Sequence, residues 1–304
     1  MTDKRTDNLA LPLMPTPVPM KSRSLWKDAA VRLKRDRVAV ICLIIVACYS
    51  LVALLTAFGI IATPWDQTVG PAYQAPSLKS LELSMGTDIF GRSVFNKVLQ
   101  GTRVAMSVGL VSSLISIPIG VFFGAMAGYY GGRIDDLVVW FYTTVSSIPN
   151  IMLLIAIAFV MGKGLSAIYV ALGVTAWVGL ARVIRGEFLK HKSREYVVAA
   201  ESLGASHFSR IFKHILPNVS HFVIIHLSIQ FMSAIKAEVI LSFLGLGVQD
   251  RPSWGVMIDD AKLELARGVW WQLAAATVAL FFVVLAFNLL GDSLRDALDP
   301  KMKN

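Results

Sequence analysis

Long apolar runs free of charge constrain this chain more than any other feature. Residues 38–62, 104–132, 137–162 and 268–291 contain no Asp, Glu, Lys or Arg. Residues 164–181 form a shorter run of the same kind, and 219–248 is interrupted only by Lys236 and Glu238. A helix needs about 20 predominantly apolar residues to cross a bilayer. Composition agrees: the 304 residues are 55% hydrophobic and 16% charged, where a soluble domain carries about 25% charge. Buried helices of a large soluble core would need far more polar surface. The runs predict an all-α integral membrane protein with six spanning helices.

Charge placement sets the orientation. With six spans, twenty Lys and Arg fall on the side of the termini and eight on the other, with Lys236 inside a span. The positive-inside rule then puts both termini in the cytoplasm, which requires an even number of spans. The net charge of +9 is thus a topology signal and does not point to nucleic acid. The expected order is a flexible cytoplasmic tail at 1–23, an amphipathic interfacial helix at 24–37, a first span at 38–62 and an external loop at 63–103. A core domain at 104–292 follows, with spans at 104–130, 137–162, 164–182, 219–248 and 270–291. It holds a cytoplasmic loop at 183–218 and an external loop at 249–269. A short cytoplasmic tail, 293–304, ends the chain.

Local patterns fill in this order. Leu25, Ala29 and Leu33 repeat at four, with Lys27, Asp28, Arg32 and Arg35 elsewhere on the wheel, as in a helix lying in the interface. Phe90, Val94 and Val98 have helical spacing and predict a surface helix before the second span. The 37 mostly polar residues before the first run do not read as a signal peptide. Cys42 and Cys48 lie six apart on one helix, cannot bridge within it, and read as apolar filler. In the second span Ser112, Ser116, Gly120, Gly124 and Gly128 recur every four residues, a stripe that lets two helix backbones approach closely. Pro118 and Pro149 fall within spans, where neighbours satisfy the freed carbonyls; each reads as a kink or as a tolerated residue.

Catalytic and nucleotide motifs are missing from the sequence. Gly162-Lys163-Gly164 lacks the glycine-rich frame of a Walker A loop, so the chain is not expected to bind ATP. His191, His207, His214, His221 and His226 are scattered, without metal-ligand spacing. No catalytic residue, metal or cofactor is expected in this chain.

Two features carry the functional reading. Lys236 and Glu238 sit deep in the fifth span, where ionisable groups are costly and face a protein interior or an aqueous path. Two residues apart is about 200° on a helix, so they do not face the same way. With Gln230 on the same span they are the candidate pathway residues. The second feature is the basic cytoplasmic loop. Residues 195–203 lack Gly and Pro, Gly204 follows, and residues 206–216 run to Pro217. This reads as helix, glycine turn, helix and proline stop. Ala199, Ala200, Leu203, Phe208, Ile211, Phe212 and Ile215 give it apolar faces, as a docking surface requires.

At this loop the sequence resembles a known family. Val198-Ala199-Ala200, Gly204 and Leu216-Pro217 match the "EAA" loop of binding-protein-dependent ABC-importer permeases. Glu195, Glu201, Ala205 and His214 complete the candidate ATPase-coupling set. Gly86-Thr87-Asp88 with Gly91-Arg92, Ala127-Gly128-Tyr129, Leu241-Ser242-Phe243-Leu244-Gly245-Leu246-Gly247, Pro252-Ser253-Trp254-Gly255 and the segment from Asn288 to Pro300 are similar to the oligopeptide/dipeptide branch. The likeness runs from about Ser24 to the C-terminus and is nearest the C-type subunit. The loop's namesake Glu is Val198 here, with Glu201 three residues on.

The resemblance implies a type I ABC importer permease fold in the bacterial cytoplasmic membrane. It implies three kinds of partner besides membrane lipid: a B-type permease subunit, two ATPases that bind ATP and Mg, and an external solute-binding protein. This chain would be half of a translocation pathway for peptides or peptide-like solutes. The alternatives are an ion-coupled secondary transporter using Lys236 and Glu238, which would show internal repeats, and a membrane scaffold, which would not need intramembrane charge.

Overall fold

In hydrocarbon each backbone N–H must find its partner within its own segment, and the apolar runs accordingly close into helices. The computed structural model describes residues 25–298; the tail expected at 1–23 and the last six residues lie outside the described residues. α1 (Leu25–Arg35) and α2 (Arg37–Ala57) are separated only by Asp36, whose carboxylate caps α2 by accepting from the Val38 N–H at 2.9 Å. Its other oxygen accepts from the Ser293 hydroxyl at 2.9 Å, tying this junction to the end of α12 (Trp271–Leu298). The first span is shorter than its apolar run. Gly59 and Ala62 take positive φ and turn the chain before residue 62.

α3 (Val94–Tyr130) is the axis of the bundle and packs against α2, α6 (Leu165–Thr175), α7 (Trp177–His191), α10 (Leu216–Phe243) and α12. Ser93 caps it by accepting from the Asn96 N–H. The surface helix expected at residues 90–99 does not exist as a separate element. Val94 and Val98 are buried against Trp254 and Trp271, so this segment is the first turns of α3. Pro118 lies inside α3 without ending it. Pro149 acts differently: Ile148 before it is extended, as a pre-proline residue prefers, and α4 (Gly132–Ser147) meets α5 (Asn150–Met161) at 87°. The third span expected at 137–162 is this bent pair. Among the described residues, five helices are long and apolar enough to cross a membrane, or six with the bent pair as one span.

The small-residue stripe faces α7. A Cβ on Gly120, Gly124 or Gly128 would stand 2.9, 2.6 and 2.6 Å from the carbonyl oxygens of Trp177, Ala181 and Arg185. Ser112 and Ser116 continue the stripe, fully buried. The backbones therefore approach to a distance that only glycine permits. The fourth span also outruns its expected end at 182, because α7 continues to His191. Its later turns are held by Arg185, which makes a bidentate pair with Asp135 of α4 at 2.5 and 2.7 Å.

Candidate functional site

The hairpin expected at 183–218 is built from α8 (Glu195–Ser202), α9 (His207–Ser209) and a π-helical turn, Arg210–Ile215, that runs into α10. Glu195 stands in the first turn of α8, where a negative charge complements the helix dipole. Beyond Leu203 the chain closes as a Schellman turn: Gly204 N–H donates to the Glu201 carbonyl at 2.8 Å and Ala205 N–H to the Ala200 carbonyl at 2.9 Å. Gly204 has φ +84, a left-handed conformation that costs other L-residues about 1–2 kcal/mol. Ser206 starts the return helix by accepting from the Ser209 N–H.

Pro217 was expected to stop this helix, and it does not. It sits in the first turn of α10, where a missing N–H is tolerated. The π turn just before it, with Leu216 N–H bonded to the Ile211 carbonyl, widens the backbone where the proline ring would crowd the preceding turn. The return arm is therefore one continuous rod with α10.

The hairpin has two faces. Val197, Ile211 and Ile215 are buried against Ala125 of α3 and Leu180, Ile184 and Phe188 of α7, and Ala200 is buried too. Val198, Ala199, Leu203, Phe208 and Phe212 are exposed, with Leu203 at 88% and Phe208 at 68%. The Phe208 and Phe212 rings lie 4.4 Å apart. A contiguous apolar ridge on a rigid base marks an interaction surface. Of the remaining expected coupling residues, Pro217 is exposed; Ala205, His214 and Leu216 are half-buried. The His214 carbonyl accepts from the Asn218 amide at 2.6 Å.

Glu201 is itself exposed. Its carboxylate pairs with Arg210 at 2.5 Å. Arg210 is buried, donates to Nδ1 of His207 at 2.8 Å, and lies over the Tyr129 ring of α3 at 5.7 Å. The Tyr129 hydroxyl is 2.9 Å from the same Nδ1.

The expected pathway residues separate. Lys236 is exposed on one face of α10, beside exposed Ser233 and Ile240. Glu238 is 0% exposed on the opposite face and accepts from the Ser242 hydroxyl at 2.6 Å. Gln230 is buried as well. In this chain Glu238 is packed between elements, where Lys236 is not. The glycine motifs explain its setting. A Cβ on Gly255 would stand 2.5 Å from the Ser242 Cβ and 2.7 Å from the Val239 carbonyl, and Gly247 is pressed on Ser242 too. These glycines let the start of α11 (Trp254–Leu265) lie directly on α10.

Sequence reasoning missed a buried polar knot at the start of α3. Asp88 Oδ1 accepts from the Phe90 and Arg92 N–H groups, both at 2.9 Å; its Oδ2 pairs with Arg92 at 2.8 Å and Lys97 at 3.0 Å. Lys97, 2% exposed, also donates to Gln272 of α12 at 2.7 Å and faces Asp260 of α11 at 3.7 Å. Burial works to raise the Asp88 pKa, but Lys97 and the Arg92 N–H outweigh it and hold the carboxyl below its usual range. Burial pushes Asp260 and Glu264 up, with Lys97 opposing. The signal was present in Gly86-Thr87-Asp88 and Gly91-Arg92, with Lys97 nine residues after Asp88. Nothing local in the sequence says that Gln272 and α11 complete it.

A sequence family described as "Binding-protein-dependent transport system inner membrane component" matches residues 120–304, and one described as "N-terminal TM domain of oligopeptide transport permease C" matches residues 24–76. The dipeptide transport system permease protein DppC of Bacillus subtilis is 38% identical over 93% of this chain and 88% of its own length. The oligopeptide transport system permease protein OppC of Haemophilus influenzae is 36% identical over 93% and 90%. The glutathione transport system permease protein GsiD of Pectobacterium atrosepticum is 37% identical over 72% and 73%. Among solved structures, a chain of the inward-facing MetNI methionine ABC transporter superposes with a TM-score of 0.51 at 20% identity, over 67% of this chain and 93% of that one, a likeness of fold.

Proposed function

We propose, from the premise that the chain belongs to the binding-protein-dependent transport system inner membrane component family and is an inner-membrane permease subunit of an ABC importer, that its cargo is peptides or peptide-like solutes. The dipeptide, oligopeptide and glutathione systems named for its relatives support that cargo class. In such systems ATP is used by partner ATPase subunits, and this chain is a non-catalytic component. Its pathway is completed by a B-type permease subunit, with both termini in the cytoplasm. A solute-binding protein delivers cargo to the external side. Two ATPases with bound ATP and Mg drive the cycle, one of them taking the ridge of Val198, Ala199, Leu203, Phe208 and Phe212 into a surface groove.

The observation that carries the docking reading is the division of the hairpin into a buried inner face and an exposed apolar outer face. Leu203→Asp and Phe208→Asp test it. Both side chains are exposed, so membrane insertion should persist while ATPase subunits no longer co-purify and uptake is lost. ATPases retained in stoichiometric amounts would refute the assignment. Uptake of labelled dipeptide, oligopeptide and glutathione into proteoliposomes tests the cargo class. The secondary-transporter alternative finds no support, since Lys236 and Glu238 lie on opposite faces of α10 and form no relay.

A further inference from the structure

We propose that Arg210 is a positioning residue that locks the coupling hairpin to the cytoplasmic end of α3, so that force on α8 enters the bundle through a Glu201–Arg210–His207–Tyr129 clamp. This rests on the docking reading above and adds the route by which a docked α8 moves the helices.

The backbone alone makes α8 a poor lever. It is eight residues long, about 12 Å at 1.5 Å per residue. It reaches the core through two small apolar side chains, Val197 and Ala200. Its link to α9 passes through Gly204, around whose Cβ position nothing lies within 4 Å. No packing there resists a change of angle. Arg210 supplies the missing restraint. One guanidinium joins the last turn of α8 through Glu201, the start of the return arm through His207, and α3 through the face of Tyr129. Arg210 also begins the π turn that continues into α10. A planar fork with five donors suits such a junction.

Two further observations favour a mechanical role over simple stability. Arg210 is 8% exposed and its Nε has no partner. Burying a guanidinium this way carries a desolvation cost that an apolar residue would avoid. Ile211 and Ile215 beside it show that apolar packing is available there. Moreover, position 198 offers a partner no carboxylate, and the exposed carboxylate of the last turn of α8 is already paired with Arg210.

The test uses the assembled importer in proteoliposomes with its binding protein, measuring solute moved per ATP hydrolysed. Glu201→Gln and Arg210→Gln should each keep the co-purifying ATPases and ATP hydrolysis. Each should lower the solute-to-ATP ratio by about tenfold, the factor set by one lost charge-assisted hydrogen bond. The double variant should be no worse than the poorer single, because the pair acts as a unit. An unchanged ratio in Glu201→Gln, or losses that simply add, would overturn the clamp. If Arg210→Gln reduces assembly, Tyr129→Leu, which removes from α3 the half-buried ring that Arg210 lies over, takes its place; an unchanged ratio there also overturns it. ATPases that fail to join even the wild-type chain would instead sink the docking reading, and the clamp with it.

Discussion

Replacing Gly124 by Ala adds one methyl to the α3–α7 contact. The new Cβ would stand 2.6 Å from the Ala181 carbonyl oxygen and 2.8 Å from the Ile184 Cβ. Ordinary contact begins near 3.4 Å, so α7 must retreat by roughly 0.8 Å, an overpacking that costs about 1–3 kcal/mol. Helix propensity works the other way, since Ala is favoured over Gly by about 1 kcal/mol. A control removes that term. Gly186 lies on α7 in helical conformation, and a Cβ there meets nothing within 4 Å. Gly186→Ala should therefore be neutral or stabilising, and the difference between the two variants isolates the close approach. In thermal unfolding of the purified complex, Gly124→Ala should melt several degrees below Gly186→Ala, at about 2–4 °C per kcal/mol. Gly128→Ala should match it, and Gly120→Ala should be milder, with its carbonyl at 2.9 Å. The Gly124→Ala/Gly128→Ala pair should fall short of additive, because one displacement of α7 relieves both sites. Equal melting of Gly124→Ala and Gly186→Ala would refute the reasoning.

Asp88→Asn leaves buried Lys97 with only the longer 3.7 Å contact to Asp260 as counter-charge, and breaking a buried pair in this way costs about 3–5 kcal/mol; expression of intact complex should fall sharply, and normal yield would count against the knot as a stabilising element. Gly204→Val should uncouple hydrolysis from uptake or block assembly, while Gly204→Asn, which tolerates left-handed φ, should stay near wild type; equal behaviour of the two would discount backbone strain as the cause. The carboxyls around Lys97 predict a stability maximum in mild acid. Asp88, lowered in the fold, contributes stability above its unfolded pKa and loses it as pH falls through the folded value. Asp260 and Glu264, raised in the fold, contribute below their unfolded pKa and lose it as pH rises through the folded values. Melting against pH should rise from neutral toward mild acid and then fall, and Glu264→Gln should flatten the neutral limb; a wild-type curve flat from neutral to mild acid would dispose of this account.

What the sequence made legible was whatever depends on one helix at a time. The apolar runs marked the spanning segments, because the bilayer imposes a length and a polarity on each segment separately. Gly204 was readable for the same reason, a local backbone demand written in one residue. Relations between segments were hidden. Pro149 breaks its helix at 87° and Pro118 does not, although both are prolines in apolar runs. Lys236 and Glu238 looked like equals by composition, and only packing sends one to the exposed face and the other beneath α11. Lys97 counted as one more external cation until Gln272, 175 residues away, was seen to hold it. The substitution at Val198 makes the same point. By pattern alone, Glu201 is a displaced copy of a missing partner contact. By geometry it faces Arg210 and binds the hairpin to its own bundle. The same carboxylate thus predicts opposite consequences: under the pattern its loss should detach the ATPase, and under the geometry the ATPase stays bound while its work no longer reaches α3.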